Sequence, residues 1–245
     1  TTLFGLSVIN VMFEDKVDDF FARQQVYNLL NDADLPEGVT PEVQPLYGPT
    51  GEIFRYTLRS DKRSVRELKT LQDWVIERKL RAVPGVADIV SFGGEVKTFE
   101  VSVNPNQLIS YGVTTLELYD AIAKSNINVG GDMITKSSQA YVVRGIGLIN
   151  DVKEIENIVV KNINGTPILV KHLATVHESS LPRLGQVGRM EEDDVVQGIV
   201  VMRKGENPGE VIAALKDKIK DIQQNALPED VRIVSFYDRE NLVDL

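Results

Sequence analysis

The sequence contains no cysteine, which removes disulfides, thiolate metal sites and thiol nucleophiles together. It has only two histidines, His172 and His177, so little side-chain chemistry is available for proton transfer or metal binding near neutral pH. No stretch approaches the roughly 20 apolar residues that cross a bilayer. The chain opens Thr-Thr-Leu-Phe-Gly-Leu-Ser, without a basic leader and without an initiator Met, and reads as a piece of something larger. Positive charge is in deficit, 27 basic against 36 acidic residues for a net charge of −9, which argues against a nucleic-acid backbone as partner. What remains is 245 residues with 42% hydrophobic content, an ordinary folded chain of one or two domains.

The order of elements is legible in the hydrophobic periodicity and the capping residues. Leu6 to Phe13 is apolar on both faces apart from Ser7 and Asn10 and predicts a buried strand. Asp15 and Asp18 precede a helix whose face is Ala22, Val26, Leu29 and Ala33, ending at Leu35-Pro36-Glu37-Gly38. A loop rich in Pro and Gly follows, a candidate boundary. Next come a strand at Ile53 to Leu58 and a capping box, Ser64 with Glu67, that opens a helix bearing Leu68, Leu71 and Val75. Strands at Val86 to Phe92 and Val96 to Val103 meet at Gly93-Gly94, a hairpin signal. The alternation of Phe99, Val101 and Val103 with Glu100 and Ser102 predicts one wet face. Thr114 with Glu117 predicts a second capping box and a short helix through Leu118, Ile122 and Ala123.

From about Asn126 to Asp194 the texture becomes β-rich. Short strands are predicted at Tyr141 to Val143, Ile158 to Lys161 and Ile168 to Val176, with Asn164-Gly165 as a tight turn. After this insertion a strand at Gln197 to Met202 leads to Asn207-Pro208-Gly209-Glu210, a helix start. The stripe Val211, Leu215, Ile219, Ile222 and Ala226 follows, then a strand from Val231 to Phe236. The first and last units read alike: Met12 or Met202 in a strand, a capped helix, then Leu-Pro-Glu-x-Val 23 or 25 residues after the Met. That spacing suggests a duplicated α+β module with antiparallel sheets covered by helices on one side, unless the two short units match by chance.

No catalytic constellation is apparent. His172 and His177, separated by an odd number of residues in one predicted strand, point to opposite faces and read as structural or surface residues. Glu191 to Asp194 reads as a solvated turn, because calcium loops need alternating oxygen ligands. Methionine thioethers suit soft cations such as Cu(I); Met12 and Met202 read as core, Met133 and Met190 as exposed. The glycine clusters lack the Lys-Ser/Thr of a phosphate loop or the helix of a dinucleotide fold, and no Gly-x-Ser-x-Gly elbow occurs.

Particular strings then become informative in combination. They include Gly5 to Val11, Phe13-Glu14-Asp15, Leu35 to Val39, Leu71-Gln72-Asp73-Trp74, Val83-Pro84-Gly85-Val86 and Asn104-Pro105. Further on come Ser125-Asn126-Ile127-Asn128-Val129-Gly130-Gly131, Tyr141-Val142-Val143-Arg144-Gly145-Ile146-Gly147, Gly205-Glu206-Asn207 and Tyr237-Asp238-Arg239. In order and spacing, across essentially the whole chain, this set resembles the heavy-metal (cation) efflux branch of the resistance-nodulation-cell division transporters. The match is to the first periplasmic loop of an inner-membrane pump of the copper/silver or cobalt/zinc/cadmium type. Drug exporters of the same superfamily usually lack the Leu-Gln-Asp-Trp and Tyr-x-Val-Arg-Gly-x-Gly strings.

The resemblance implies an α+β fold of ferredoxin-like βαβ porter subdomains, the first truncated, with a β-rich docking subdomain inserted. Residues 1–47 would be part of the first porter subdomain, 48–127 and 193–245 the two halves of the second, and 128–192 the docking insertion. It also implies a homotrimeric, proton-driven, non-enzymatic cation exporter. Its partners would be a periplasmic adaptor, an outer-membrane channel and the transported metal cation, with no cofactor and no nucleic acid. The family's metal ligands and proton relay belong mainly to regions outside this chain, so no residue here is assigned to metal. A hairpin after Gly130-Gly131, with Asp132, Met133 and Lys136, is similar to the arm that reaches into the neighbouring subunit; many relatives have Gly where Asp132 stands. Without the family's opening βα unit, residues 1–47 are expected to fray or to exchange strands between copies. The competing expectations are a drug-exporting relative, a freestanding binding module with a cleft and, least, a metal-dependent enzyme.

Overall fold

The computed structural model describes residues 2–3, 6–14, 16–36, 38–44, 46–47, 51–136, 139–145, 147–183 and 185–240, with the backbone alone for 2–3, 6, 129–136 and 139–144. The chain is a mixed α/β protein, and among the described residues every strand pairing is antiparallel. In chain order the elements are β1 (Thr2–Leu3), β2 (Leu6–Ser7), α1 (Asp19–Asn31), β3 (Glu52–Arg59), α2 (Val65–Leu71), a π-helical turn (Gln72–Ile76), α3 (Glu77–Arg81), β4 (Val86–Phe92), β5 (Lys97–Val103), α4 (Pro105–Tyr111) and α5 (Thr115–Ser125). The rest are β6 (Val129–Lys136), β7 (Gln139–Gly145), α6 (Val152–Glu156), β8 (Val159–Ile163), β9 (Thr166–Leu169), α7 (Val170–Leu173), β10 (Ala174–Ser180), β11 (Val196–Met202), α8 (Pro208–Asn225) and β12 (Arg232–Asp238). They form two compact units, one of residues 1–61, 71–92 and 196–245, the other of 62–70 and 93–195.

The first unit is built on a four-stranded sheet in the order β12-β3-β11-β4. Counting its strands along the chain, the order is 4-1-3-2, and a helical segment joins each of the two βαβ halves. The central strands β3 and β11 are buried almost throughout, with Ile53, Tyr56, Val196 and Val200 fully excluded from solvent. Tyr56 opposes Gly198 on the next strand, and its ring lies where a Cβ at Gly198 would stand, 2.2 Å from Cζ. The Tyr56 hydroxyl donates to Gln72 Oε1 at 3.0 Å. That bond fixes the sheet to the helical segment at its π turn, where one residue too many is accommodated per turn. The helix α8 starts as its sequence dictates, with Asn207 Oδ1 accepting from Gly209 N at 3.0 Å and Pro208 in the first turn, and buries Val211, Leu215 and Ile222 together with Ile212.

Several expectations are corrected here. The predicted strand Leu6 to Phe13 forms over Leu6–Ser7 only. Beyond it Ile9, Val11, Met12 and Phe13 are 45–94% exposed, so apolar sequence alone does not build a strand where the structure lays no neighbour over both faces. Asp18 caps α1 as expected, accepting from Phe21 N at 2.9 Å, but only Ala22 of its predicted face is buried, and Leu29 is 71% exposed. Met202 is core at 8% exposure while Met12 is 94% exposed, so the proposed equivalence of the first and last units does not hold. On the helical segment the buried positions are Leu68, Gln72, Ile76 and Leu80, an i, i+4 series, together with Lys69 beside Leu68; Leu71 and Val75 are half-buried.

The Gly93-Gly94 hairpin is also corrected. Both strands exist, but β4 pairs with β11 and β5 pairs with β10. The glycines adopt φ of +71° and +72°, and a Cβ at Gly93 would stand 2.1 Å from the carbonyl oxygen of Val195. They carry the chain out of one sheet and into the second unit.

Candidate subunit-contact arm and its base

In the second unit the element that leads to the predicted arm is α5. Its start is the predicted capping box: Glu117 N donates to Thr114 Oγ1 at 3.1 Å and Thr114 N to Glu117 Oε2 at 2.7 Å. Lys161 adds an ammonium, 3.1 Å from Glu117 Oε1 and 2.7 Å from the carbonyl of Gly112. The Thr114 amide first, then Lys161, hold the Glu117 carboxyl below the usual carboxylate range. The inward face of α5 enters a core of Leu108, Val113, Leu118, Ile155, Leu173 and Val176, against which Phe99, Val101 and Val103 of β5 pack while Glu100 and Ser102 face solvent.

The helix ends at Ser125, and two amide side chains then clamp the root of the arm. Asn126 Oδ1 accepts from Ile149 N at 3.0 Å, and Asn128 Oδ1 accepts from Gly147 N at 3.1 Å. The two strands of the root approach so closely that a Cβ at Gly147 would stand 2.4 Å from the carbonyl oxygen of Ile127. Asn126, Asn128 and Gly147 account physically for two of the distinctive strings: each Asn substitutes for a strand pairing, and the glycine lets the backbones meet. Sequence reasoning assigned them no role, although the Asn-x-Asn spacing places both amides on one side of an extended chain.

The hairpin expected to be the arm is β6–β7, an antiparallel pair that already includes Gly130 and Gly131 in its first strand. Val129 opposes Gly145 and Gly130 opposes Arg144; pairing resumes with Met133 opposite Val142 and ends with Lys136 opposite Gln139. Gly131 and Asp132 together therefore face Val143, a bulge of two residues against one, which bends a ribbon and increases its twist. Asp132 falls in this bulge. The side chains of Met133 and Lys136, like the others of residues 129–144, lie outside the described part of the structure.

The remaining candidates separate. His172 is on α7, which interrupts the predicted strand Ile168 to Val176 with a single helical turn; its Nδ1 accepts from Leu169 N at 3.2 Å and its ring stacks on Tyr111. His177, on β10, faces Glu100 across the ribbon at 3.6 Å. The acidic block forms a turn closed by the reciprocal bonds of Arg189 and Glu192, with Met190 at φ +54° and 90% exposed. Asp194 pairs with Arg183. Among the described residues no three His, Asp or Glu side chains converge on a metal-sized space. A shallow cavity of about 430 Å³ in the first unit is lined by Ala82, Val83, Pro84, Ala214, Asp217, Lys218 and Asp221. Its charged groups neutralise one another or neighbours, as in the 2.7 Å pair Lys218–Asp221. No described helix is long and apolar enough to cross a membrane.

The whole chain, residues 1–245, matches the model of the AcrB/AcrD/AcrF family. It is 37% identical over 246 residues to the cation efflux system protein CusA of Escherichia coli K12, covering 98% of this chain and 23% of that protein. It is 35% identical over 252 residues to the cobalt-zinc-cadmium resistance protein CzcA of Cupriavidus metallidurans, covering 98% and 24%. Among solved structures, a heavy metal efflux pump in its second crystal form superposes with a TM-score of 0.84 at 38% identity, over 95% of this chain and 23% of that one. The chain thus spans about a quarter of the length of the relatives it matches.

Proposed function

Because the chain belongs to the AcrB/AcrD/AcrF family, we propose that it is the periplasmic porter and docking part of a proton-driven pump that exports heavy-metal cations across the inner membrane of a bacterium. The observation that carries this is the superposition of 95% of the chain on a heavy metal efflux pump at 38% identity. The relatives named above are a cation efflux protein and a metal resistance protein, which favours metal over drug export.

In this reading residues 48–127 and 193–245 form the second porter subdomain. The 4-1-3-2 strand order and its two βαβ halves support a ferredoxin-like plan for it. Residues 1–47 belong to the first porter subdomain and 128–192 to the docking insertion; residues 93–127 group compactly with the insertion. The porter unit moves as a rigid body in the transport cycle, which a sheet fixed to its helices by Tyr56 and Gln72 suits. The hairpin with Gly130, Gly131, Asp132, Met133 and Lys136 reaches into the neighbouring subunit of a homotrimer. The insertion also faces an adaptor protein and an outer-membrane channel. Cation ligands and proton relay are supplied by parts of the pump outside this chain.

The test is growth of a host deleted for the gene, with and without a plasmid copy, on graded Cu, Ag, Zn, Co, Cd and Ni salts and on a panel of dyes and antibiotics. Restored tolerance to one or more metals without change in drug tolerance is expected. Restored drug tolerance alone would transfer the protein to the drug-exporting branch.

A further inference from the structure

The outward face of α5 carries a line of apolar side chains. Leu116 and Tyr119 are each 68% exposed, and with exposed Ala123 they fall at i, i+3 and i+7, one face of the helix. The line continues past the helix end to Ile127, 58% exposed, and Leu148, 51% exposed, stands beside it at the clamped root. The opposite face is anchored by Leu118, 2% exposed, so the helix has no freedom to roll the line inward. A single exposed Leu needs no explanation, but an aligned set with an aromatic residue marks a surface that meets something.

Two features select a second copy of this chain. The first is continuity: the bonds from Asn126 to Ile149 and from Asn128 to Gly147 tie the end of the stripe to the arm, so whatever receives the arm is brought against the stripe. The second is charge. Residues 125–150 contain one acid, Asp132, and two bases, Lys136 and Arg144, in a chain whose net charge is −9. Two copies repel over most of their surface and least through this segment, and depletion of charge is the compositional mark of an interface core. On α5 itself Glu117, paired with Lys161, and Asp120 and Lys124 supply charges of both signs for its rim.

We infer that the stripe Leu116, Tyr119, Ala123 and Ile127 is covered by a second copy of the chain, as part of the head-to-tail contact that the arm makes, so that helix and arm form one continuous interface. A contact between unlike patches closes into a ring when the rotation permits, which suits a trimer. This rests on the reading of β6–β7 as an intersubunit arm.

The experiment places p-benzoylphenylalanine singly at Leu116, Tyr119, Tyr141 on β7 and Lys220 in the full-length protein in its native membrane. Lys220 lies in the other unit with a side chain 72% exposed. After irradiation, positions 116, 119 and 141 are expected to give a product of twice the subunit mass whose cross-linked peptides both come from this protein, and 220 none. Absence of that product at 116 and 119, or a product with a different protein, while 141 still joins two copies, overturns the inference and leaves the arm reading standing. Absence at 141 as well overturns both.

Discussion

The phenol of Tyr56 donates to the side-chain oxygen of Gln72 at 3.0 Å, with both residues fully excluded from solvent. Burial raises the Tyr56 pKa above the ordinary phenol range, an effect the bond to Gln72 opposes only in part. Replacing the phenol by Phe leaves Gln72 Oε1 buried without its donor and is expected to destabilise the protein by about 1–2 kcal/mol. Urea unfolding of Tyr56→Phe checks this, and adding Gln72→Met should recover much of the loss, since an apolar pair leaves no orphaned acceptor.

The same residue sets a pH dependence. A phenol whose folded pKa is raised binds its proton more tightly in the folded than in the unfolded chain. Its contribution is fully present below the unfolded value of about 10 and is lost as pH rises from there through the folded value. Stability is expected to fall above about pH 10, more steeply in the wild type than in Tyr56→Phe, in thermal melts at graded pH.

Gly198 and Gly93 are tests of close packing. Gly198→Ala drives a methyl into the Tyr56 ring and is expected to cost about 1–3 kcal/mol, relieved in the background Tyr56→Ala. At Gly93 the left-handed backbone alone costs a side chain about 1–2 kcal/mol, and the Val195 carbonyl cannot step aside as a side chain tip can. Gly93→Ala is therefore expected to lose more than this backbone cost alone, as measured by denaturant midpoint.

At the arm root, Asn126→Ala and Asn128→Ala remove exposed bonds and are expected to change global stability by less than about 1 kcal/mol each. Their effect is local: hydrogen exchange at the amides of Ile149 and Gly147 should accelerate, while the amides of α5 keep their protection.

Glu117 supplies the acid-side counterpart. Its folded pKa is depressed, so its support of α5 is present above the unfolded carboxylate value and lost as pH falls through the folded one. Carboxyl chemical shifts should place Glu117 below free glutamate, and Lys161→Met should move it upward without abolishing the shift, because the Thr114 amide remains.

What the sequence disclosed was mostly local. Ser64 with Glu67, Thr114 with Glu117 and Asn207-Pro208 each announced a helix, because a cap is decided within four residues. Asn104-Pro105 carries the same signature as Asn207-Pro208 and opens α4. The short α6, capped by Asp151, was hidden by the β-rich texture around it. Asn164-Gly165 gave its hairpin correctly, with φ of +51° and +83°. Strand partners were not legible: nothing in Val86 to Phe92 states that its neighbour lies a hundred residues on in β11 rather than next in line. Met12 and Met202 sit in similar strings and end in opposite environments for the same reason: Met202 lies in a strand covered by its neighbours, and Met12 lies in no strand at all. The hairpin β6–β7 was expected only through the family resemblance, since periodicity alone marked just Tyr141 to Val143 as a strand. Its clamp was not legible, because an Asn that satisfies a distant amide has no local periodicity.

The measurement closest to the central claim is metal flux. The full-length protein is reconstituted into liposomes with an imposed proton gradient and an ion-selective dye for Cu(I) or Zn(II). Gradient-dependent cation movement, abolished by an uncoupler and impaired when residues 130–144 are deleted, is the predicted result. A protein that is properly assembled yet moves no metal under a gradient, or moves it equally without one, would contradict the assignment.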